Sequence, residues 1–170
     1  SMIIFPDDRP ALRGVLQSRP HELWAAFFAS SLKSDLRYTP SDCFETFPFP
    51  RDWHDDPALE RAGQHYYELR AELMVRNNEG LTATYNRFHD PDERGPDILE
   101  LRERHAAMDR AVLAAYGWSD LAARATCEFR LDHEDDDDAK KRRPWRHRWP
   151  QDLHDEVLAR LLDLNLRRAA

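Results

Sequence analysis

Apolar residues recur at helical spacing over much of the chain. Leu59, Ala62, Tyr66, Leu69 and Leu73 fall three or four apart, which sets them along one stripe of a helix with 3.6 residues per turn. Asp56 followed by Pro57 supplies an N-cap and a first-turn proline, and Asn77-Asn78-Glu79-Gly80 offers a stop, with Gly80 as the expected terminator. A shorter helix is predicted from Leu81 to Phe88, followed by a loop over 89–96, where two prolines and a glycine interrupt any regular element. Ile98, Leu101, His105, Met108, Val112 and Ala115 form another helical stripe. It ends at Tyr116-Gly117-Trp118, where Gly117 can take the left-handed conformation that closes a helix. Ser119 to Ala123 adds one further turn. Gln151 to Arg168 reads as a terminal helix whose Leu153, Val157, Leu161, Leu162, Leu164 and Leu166 spread over more than one side.

Nearer the start, Ser18 and Pro20 open a helix that carries Trp24, Phe27, Phe28 and Ser31 on one face, whereas Ala11 to Gln17 is ambiguous. Prolines recur from Arg37 to Trp53, and Phe47-Pro48-Phe49-Pro50 forbids a continuing helix, because each proline forces its predecessor into an extended conformation. The stretch therefore reads as an extended connector with buried rings. The segments 127–131 and 145–149 suit the two arms of a small hairpin. The fold class predicted is mainly α, a bundle-like helical domain with one β-hairpin. Its parts are a Ser1-Met2 start that reads as a tag scar, an amino-terminal region over 3–53, and a helical domain over 54–170 with a charged loop at 132–144.

Composition narrows the functional classes. The chain has 170 residues, 41% hydrophobic and 34% charged, with a formal charge of −7, enough apolar material to bury a core at this length. Five glycines beside eleven prolines, none of them in a G-x-G or G-x-x-x-x-G-K pattern, disfavour a nucleotide-binding enzyme. No apolar run approaches the ~18 residues that would suggest a membrane span, so a cytoplasmic location and no membrane partner are expected. Cys43 and Cys127 are too few for a disulfide framework or a thiolate zinc site.

The charge is distributed unevenly. Residues 54–131 hold ten basic and fifteen acidic groups, while residues 132–148 hold six of each. That second block is polarised, with Asp132, Glu134 and Asp135 to Asp138 first and Lys140, Lys141, Arg142, Arg143, Arg146 and Arg148 after them, as in a solvated loop. Asp138-Ala139-Lys140 matches half of a magnesium nuclease core, but such a site needs rigid strands. Among eight histidines no pair is spaced for a metal on one helix face, so no metal site is expected, and His105 on an apolar stripe reads as a hydrogen-bonded core residue. His21, one turn before Trp24, suits either a structural role or a partner contact. For nucleic acid the overall charge is unfavourable. Two local segments have suitable chemistry: Ser30, Ser31, Lys33, Ser34, Arg37 and Tyr38, rich in hydroxyls and cations, and Lys140 to Arg148 with interleaved tryptophans. Solvent exposure and pairing with the acidic middle block are the alternatives.

Several ordered motifs carry a resemblance. Leu16-Gln17-Ser18-Arg19-Pro20-His21-Glu22-Leu23-Trp24-Ala25 and then Leu36-Arg37-Tyr38-Thr39-Pro40-Ser41-Asp42-Cys43-Phe44-Glu45-Thr46-Phe47-Pro48-Phe49-Pro50 resemble the end of the target-recognition region in MmeI-like type II restriction-modification enzymes. These are large adenine-specific DNA methyltransferases with relatives in phage defence. The likeness continues through Gly80-Leu81-Thr82-Ala83-Thr84-Tyr85-Asn86-Arg87-Phe88-His89, Leu101-Arg102-Glu103-Arg104-His105, Met108-Asp109, Ala115-Tyr116-Gly117-Trp118-Ser119-Asp120-Leu121 and Leu158-Ala159-Arg160-Leu161-Leu162-Asp163-Leu164-Asn165.

The resemblance implies that residues 3–53 end a target-recognition region and that the remainder is the helical carboxy-terminal part. In such a parent, S-adenosylmethionine serves an Asn-Pro-Pro-Tyr methyltransferase motif, and magnesium serves an amino-terminal nuclease where one is present. This chain has no Asn-Pro dipeptide. It is therefore expected to be non-catalytic and without a cofactor of its own, supporting DNA recognition and packing on the parent's methyltransferase domain, with double-stranded DNA as a partner through that parent. The candidate DNA-facing residues are Ser30, Lys33, Ser34, Arg37, Tyr38, Lys140, Lys141, Arg142 and Arg143. The motif positions expected to be structural are His21, Trp24, Phe47, Pro48, Tyr85, Asn86, His105, Asp109, Tyr116 and Trp118. A protein-docking scaffold that never meets DNA is the main alternative, and a nuclease on Asp138 and Lys140 a weaker one.

Overall fold

The computed structural model describes residues 7–32, 35–132 and 144–169. Among them are eight helices, α1 (Pro10–Gln17), α2 (Arg19–Phe28), α3 (Pro40–Cys43), α4 (Pro57–Asn77), α5 (Leu81–Phe88), α6 (Pro96–Ala115), α7 (Ser119–Arg124) and α8 (Gln151–Ala169). Two antiparallel hairpins join them, β1 (Ser30–Leu32) with β2 (Asp35–Arg37), and β3 (Glu128–Leu131) with β4 (Trp145–Arg148). The mainly α class is thus correct, and the hairpin read from 127–131 and 145–149 forms with Phe129 opposite His147. No described helix is long and apolar enough to cross a membrane.

Helix ends follow local chemistry. The Asp56 carboxylate accepts from the backbone N–H groups of Ala58 and Leu59 at 2.9 and 3.0 Å, satisfying donors that the first turn leaves free. At the far end of α4 the stop is Asn78, not Gly80. Asn78 takes the left-handed conformation at φ 52°, and the N–H groups of Asn78 and Glu79 donate to Val75 and Met74, the paired bonds of a Schellman motif. Asparagine tolerates that conformation better than most residues, which frees Gly80 to precede α5 in an extended conformation. Gly117 closes α6 as expected, at φ 78°, with Gly117 and Trp118 donating to Ala114 and Leu113.

Three expectations change. The ambiguous stretch before Ser18 is helical, because α1 gains its stability by laying Ala11, Leu12, Gly14 and Val15 against the rest of the fold. The inward face of α2 is His21, Trp24, Ala25 and half-buried Phe28, at i, i+3, i+4 and i+7. Phe27 lies off that face and is 56% exposed, and Ser31 is already in β1. The connector is not extended throughout, since Pro40 starts the short helix α3 after an extended Thr39, a position where proline is tolerated. Along α8, Leu153, Val157 and Leu161 are buried while Leu166 is 69% exposed.

The larger apolar cluster gathers Ala11, Val15, Trp24, Phe47, Leu59, Val112, Leu113, Leu121, Trp149, Leu153, Val157 and Leu161, so residues on both sides of position 53 share one core. A second cluster under α5 contains Tyr66, Leu73, Phe88, Ile98, Leu101 and Met108. Helix α4 packs on both α1 and α6. Its approach to α1 is glycine on glycine: a Cβ on Gly63 would stand 2.1 Å from the Pro10 carbonyl oxygen, and one on Gly14 3.1 Å from the Gly63 Cα.

Candidate nucleic-acid interface

The first candidate segment is a hairpin that leaves the end of α2 and returns through Tyr38. Ser30 is the register partner of Arg37, Ser31 of Leu36 and Leu32 of Asp35. A three-residue hairpin cannot fix itself in place, so its mounting matters. Tyr38 follows β2 and sets its hydroxyl 3.0 Å from His21 Nε2. His21 in turn packs edge-on against Phe47 at 4.7 Å between ring centroids. The indole N–H of Trp24 donates to Thr46 Oγ1 at 3.0 Å, and the Thr46 hydroxyl donates onward to the Asp42 carbonyl. The Phe-Pro-Phe-Pro run thereby holds α2, with Phe47, Pro48 and Pro50 buried. Burial pushes the His21 imidazole down to about 4 and the Tyr38 phenol up to about 12, so both are neutral near pH 7 and the contact is a neutral hydrogen bond.

Of the motif positions expected to be structural, His21, Trp24, Phe47 and Pro48 come together in this mount. Tyr116 and Trp118 stack at 4.4 Å and 14°, with Arg160 over the Trp118 ring. Tyr85 bonds its hydroxyl to that of Tyr66, while Asn86 is exposed. Among the candidate DNA-facing residues, Lys33, Ser34, Lys140, Lys141, Arg142 and Arg143 lie outside the described residues, as do Asp138 and Lys140 of the nuclease alternative. Ser30 and Arg37 fall on the two hairpin strands. Tyr38 directs its hydroxyl to His21, a use internal to the fold.

His105 and Asp109 form a buried cluster with Arg19, a residue to which the sequence assigns no role. Arg19 donates from its backbone N–H to Asp109 Oδ1 at 2.8 Å and from Nη1 to Oδ2 at 2.5 Å. The same guanidinium reaches the His105 Nδ1 at 2.7 Å and the His147 carbonyl at 3.0 Å. Asp109 is fully buried. Burial alone would raise its pKa, but His105 and Arg19 outweigh that and hold the carboxyl below its ordinary value. One guanidinium thus ties the start of α2 to α6 and β4. The available signal was position: Arg19 precedes Pro20 at a helix start, where its backbone N–H has no intrahelical partner and must find one elsewhere.

Two further arginines are positioned in the same manner. Arg102 donates to the carbonyls of Phe88, Arg87, Asp90 and Glu93, placing a cation at the negative end of α5. Arg87 pairs with Glu79, Glu93 and Asp97. The five glycines, Gly14, Gly63, Gly80, Gly95 and Gly117, lie within helices or at their ends, and none forms the strand-to-helix turn that cradles a cofactor phosphate. Among the described residues no group of three His, Cys, Asp or Glu side chains is placed to hold a metal.

Comparison with known proteins places this architecture. Residues 1–51 match the family model described as MmeI, target recognition domain. DNA methyltransferase A of Bacillus subtilis (strain 168) is 31% identical over 107 residues, covering 62% of this chain and 11% of that protein. The solved structure of the Type IIL restriction-modification enzyme MmeI in complex with DNA superposes with a TM-score of 0.61 at 21% identity, over 95% of this chain and 16% of that one. The chain therefore spans roughly a tenth to a sixth of these relatives, and the structural match concerns the fold. The first 51 residues thus match a target-recognition family model, 107 residues are similar to a methyltransferase, and the chain shares its fold with part of a restriction-modification enzyme.

Proposed function

We propose that this chain is the non-catalytic closing part of the DNA target-recognition region of an MmeI-like methyltransferase, and that it helps hold duplex DNA while packing on the parent's methyltransferase domain. The match of residues 1–51 to a target-recognition model carries the reading. The mount of the β1–β2 hairpin supports it. Ser30 and Arg37 sit on a short two-stranded ribbon next to Tyr38, which His21 and Phe47 hold in place, and a fixed support is what positioning side chains on a phosphate backbone requires. S-adenosylmethionine, and magnesium if the parent cleaves DNA, would act in domains outside these 170 residues.

The test is a gel-shift titration of the chain on duplex DNA at rising salt. A DNA-holding module binds at low salt and loses affinity log-linearly as salt rises, and Arg37→Ala weakens binding while reducing the salt slope by about one. No shift in 50 mM salt, with the fold intact, would leave only the docking-scaffold reading. Labelled S-adenosylmethionine and the same duplex should give no methyl transfer.

A further inference from the structure

A cavity of about 430 Å³ opens between α2, α4, α5 and β4, with no described residue of the β1–β2 hairpin in its lining, and arginines dominate its charged lining. Arg70 enters from α4. It donates to Gln17 Oε1 at 2.6 Å and to the Tyr85 hydroxyl at 3.2 Å, and no ion pair to a described carboxylate accompanies those bonds. Arg146 and Arg148 enter from β4, two residues apart and so on one face of the strand. Among the described residues both pair with a single carboxylate, Asp132, so the described side chains there carry one more positive charge than negative. Arg19 is neutralised by Asp109, and Glu22 is exposed at the rim. Two buried nitrogens of the lining, Arg148 Nε and His147 Nδ1, have no hydrogen-bond partner among the described residues, an uncommon state for buried polar atoms and one that a ligand can relieve. Burial first, and then the surrounding guanidinium groups, lower the pKa of His89 to about 4 and of His147 to about 3, so both imidazoles are neutral near pH 7.

The geometry points to this cavity as a binding site for a phosphoryl group, held by Arg70 from one wall and by Arg146 and Arg148 from the other. Forked donors converging from separate walls suit a tetrahedral, multi-oxygen anion better than a planar carboxylate. The cavity is larger than one phosphate, so the natural occupant is the phosphoryl part of something bigger, either a DNA backbone phosphodiester or a free phosphorylated small molecule. The site does not rest on the target-recognition reading: a chain that binds phosphate here and no duplex keeps this site and loses that reading.

The experiment titrates the whole chain into inorganic phosphate at low salt and follows the 31P linewidth. Broadening is expected for the unaltered chain and for Arg124→Gln, whose guanidinium pairs with Asp152 and Glu156 on a different face. Binding about tenfold weaker is expected for Arg70→Gln and for Arg146→Gln, the second variant serving if the first loses its circular dichroism. Adding a short duplex then separates the sources. Displacement of phosphate identifies the DNA backbone, and failure to displace identifies a free ligand. Absence of broadening with the folded chain, or broadening in both folded cavity variants equal to that of the unaltered chain, overturns the site.

Discussion

Burying Asp109 completely puts a carboxylate where only its partners keep it ionised. Its oxygens take a backbone N–H and a guanidinium from Arg19 and lie beside His105, so removing one member leaves a charge in the interior without its counterpart. Arg19→Met should therefore destabilise by about 3–5 kcal/mol, measured as a fall in the urea midpoint with the slope unchanged. A loss under 1 kcal/mol would show that the cluster is replaceable. His21 makes a pH-dependent contribution of opposite character. Its folded pKa of about 4 lies below the ordinary 6.5, so the unfolded chain takes up more protons as pH falls through that interval. The stability it provides is present above pH 6.5 and declines below it, by about 2 kcal/mol at pH 5. Denaturation at pH 7 and pH 5 should show that decline, and His21→Gln should lower stability at pH 7 while flattening the slope. Equal slopes for the two proteins would place the titration elsewhere.

At the scale of elements, capping chemistry and stripe spacing acted locally and were readable. Asp56-Pro57 fixed the start of α4 and Gly117 the end of α6, and α5 runs from Leu81 to Phe88 as the spacing predicts. Where two local signals competed, the structure chose between them: Asn78 ended α4 although Gly80 stood two residues on. The two glycines of the α1–α4 contact behave differently from Gly80. Gly63→Ala would drive its Cβ into the Pro10 backbone, which cannot move without displacing α1, and should cost about 1–3 kcal/mol or more. Gly80→Ala meets nothing within 4 Å and should cost less than about 1 kcal/mol. Thermal melts of the two variants give the contrast, and equal shifts would contradict the close approach. Helix α1 itself was illegible because eight residues are too few to be helical alone; it depends on α4 beneath it.

Across the whole molecule, the last helix returns to the first. Leu153, Val157 and Leu161 of α8 enter the cluster that holds Trp24 and Phe47, Asn165 Nδ2 donates to the Thr46 carbonyl and Arg168 Nη1 to that of Phe49. The mount of the β1–β2 hairpin is thus braced from the far end of the chain. A chain truncated after Pro150 should lose that core and any duplex affinity together, with collapse of the Trp24 and Trp149 fluorescence shift and of helical circular dichroism. A truncated chain that kept its fold would show that the amino-terminal region stands alone.

By itself the sequence determined the elements whose cause is local: the helices with continuous apolar stripes, their caps, the arms of the β3–β4 hairpin, and a likeness carried by several motifs in order. It also indicated that His105 belongs to the core, because an apolar stripe ran through it. Only the tertiary structure decided that Arg19, His105, Asp109 and β4 meet, that Gly14 opposes Gly63, and that Arg70 shares a cavity with Arg146 and Arg148. Gly14 and Gly63 stand 49 positions apart, Arg19 and Asp109 90, and Arg19 and His147 128. Nothing in local spacing pairs residues at such separations; packing does, by bringing together side chains whose charges and shapes complement one another.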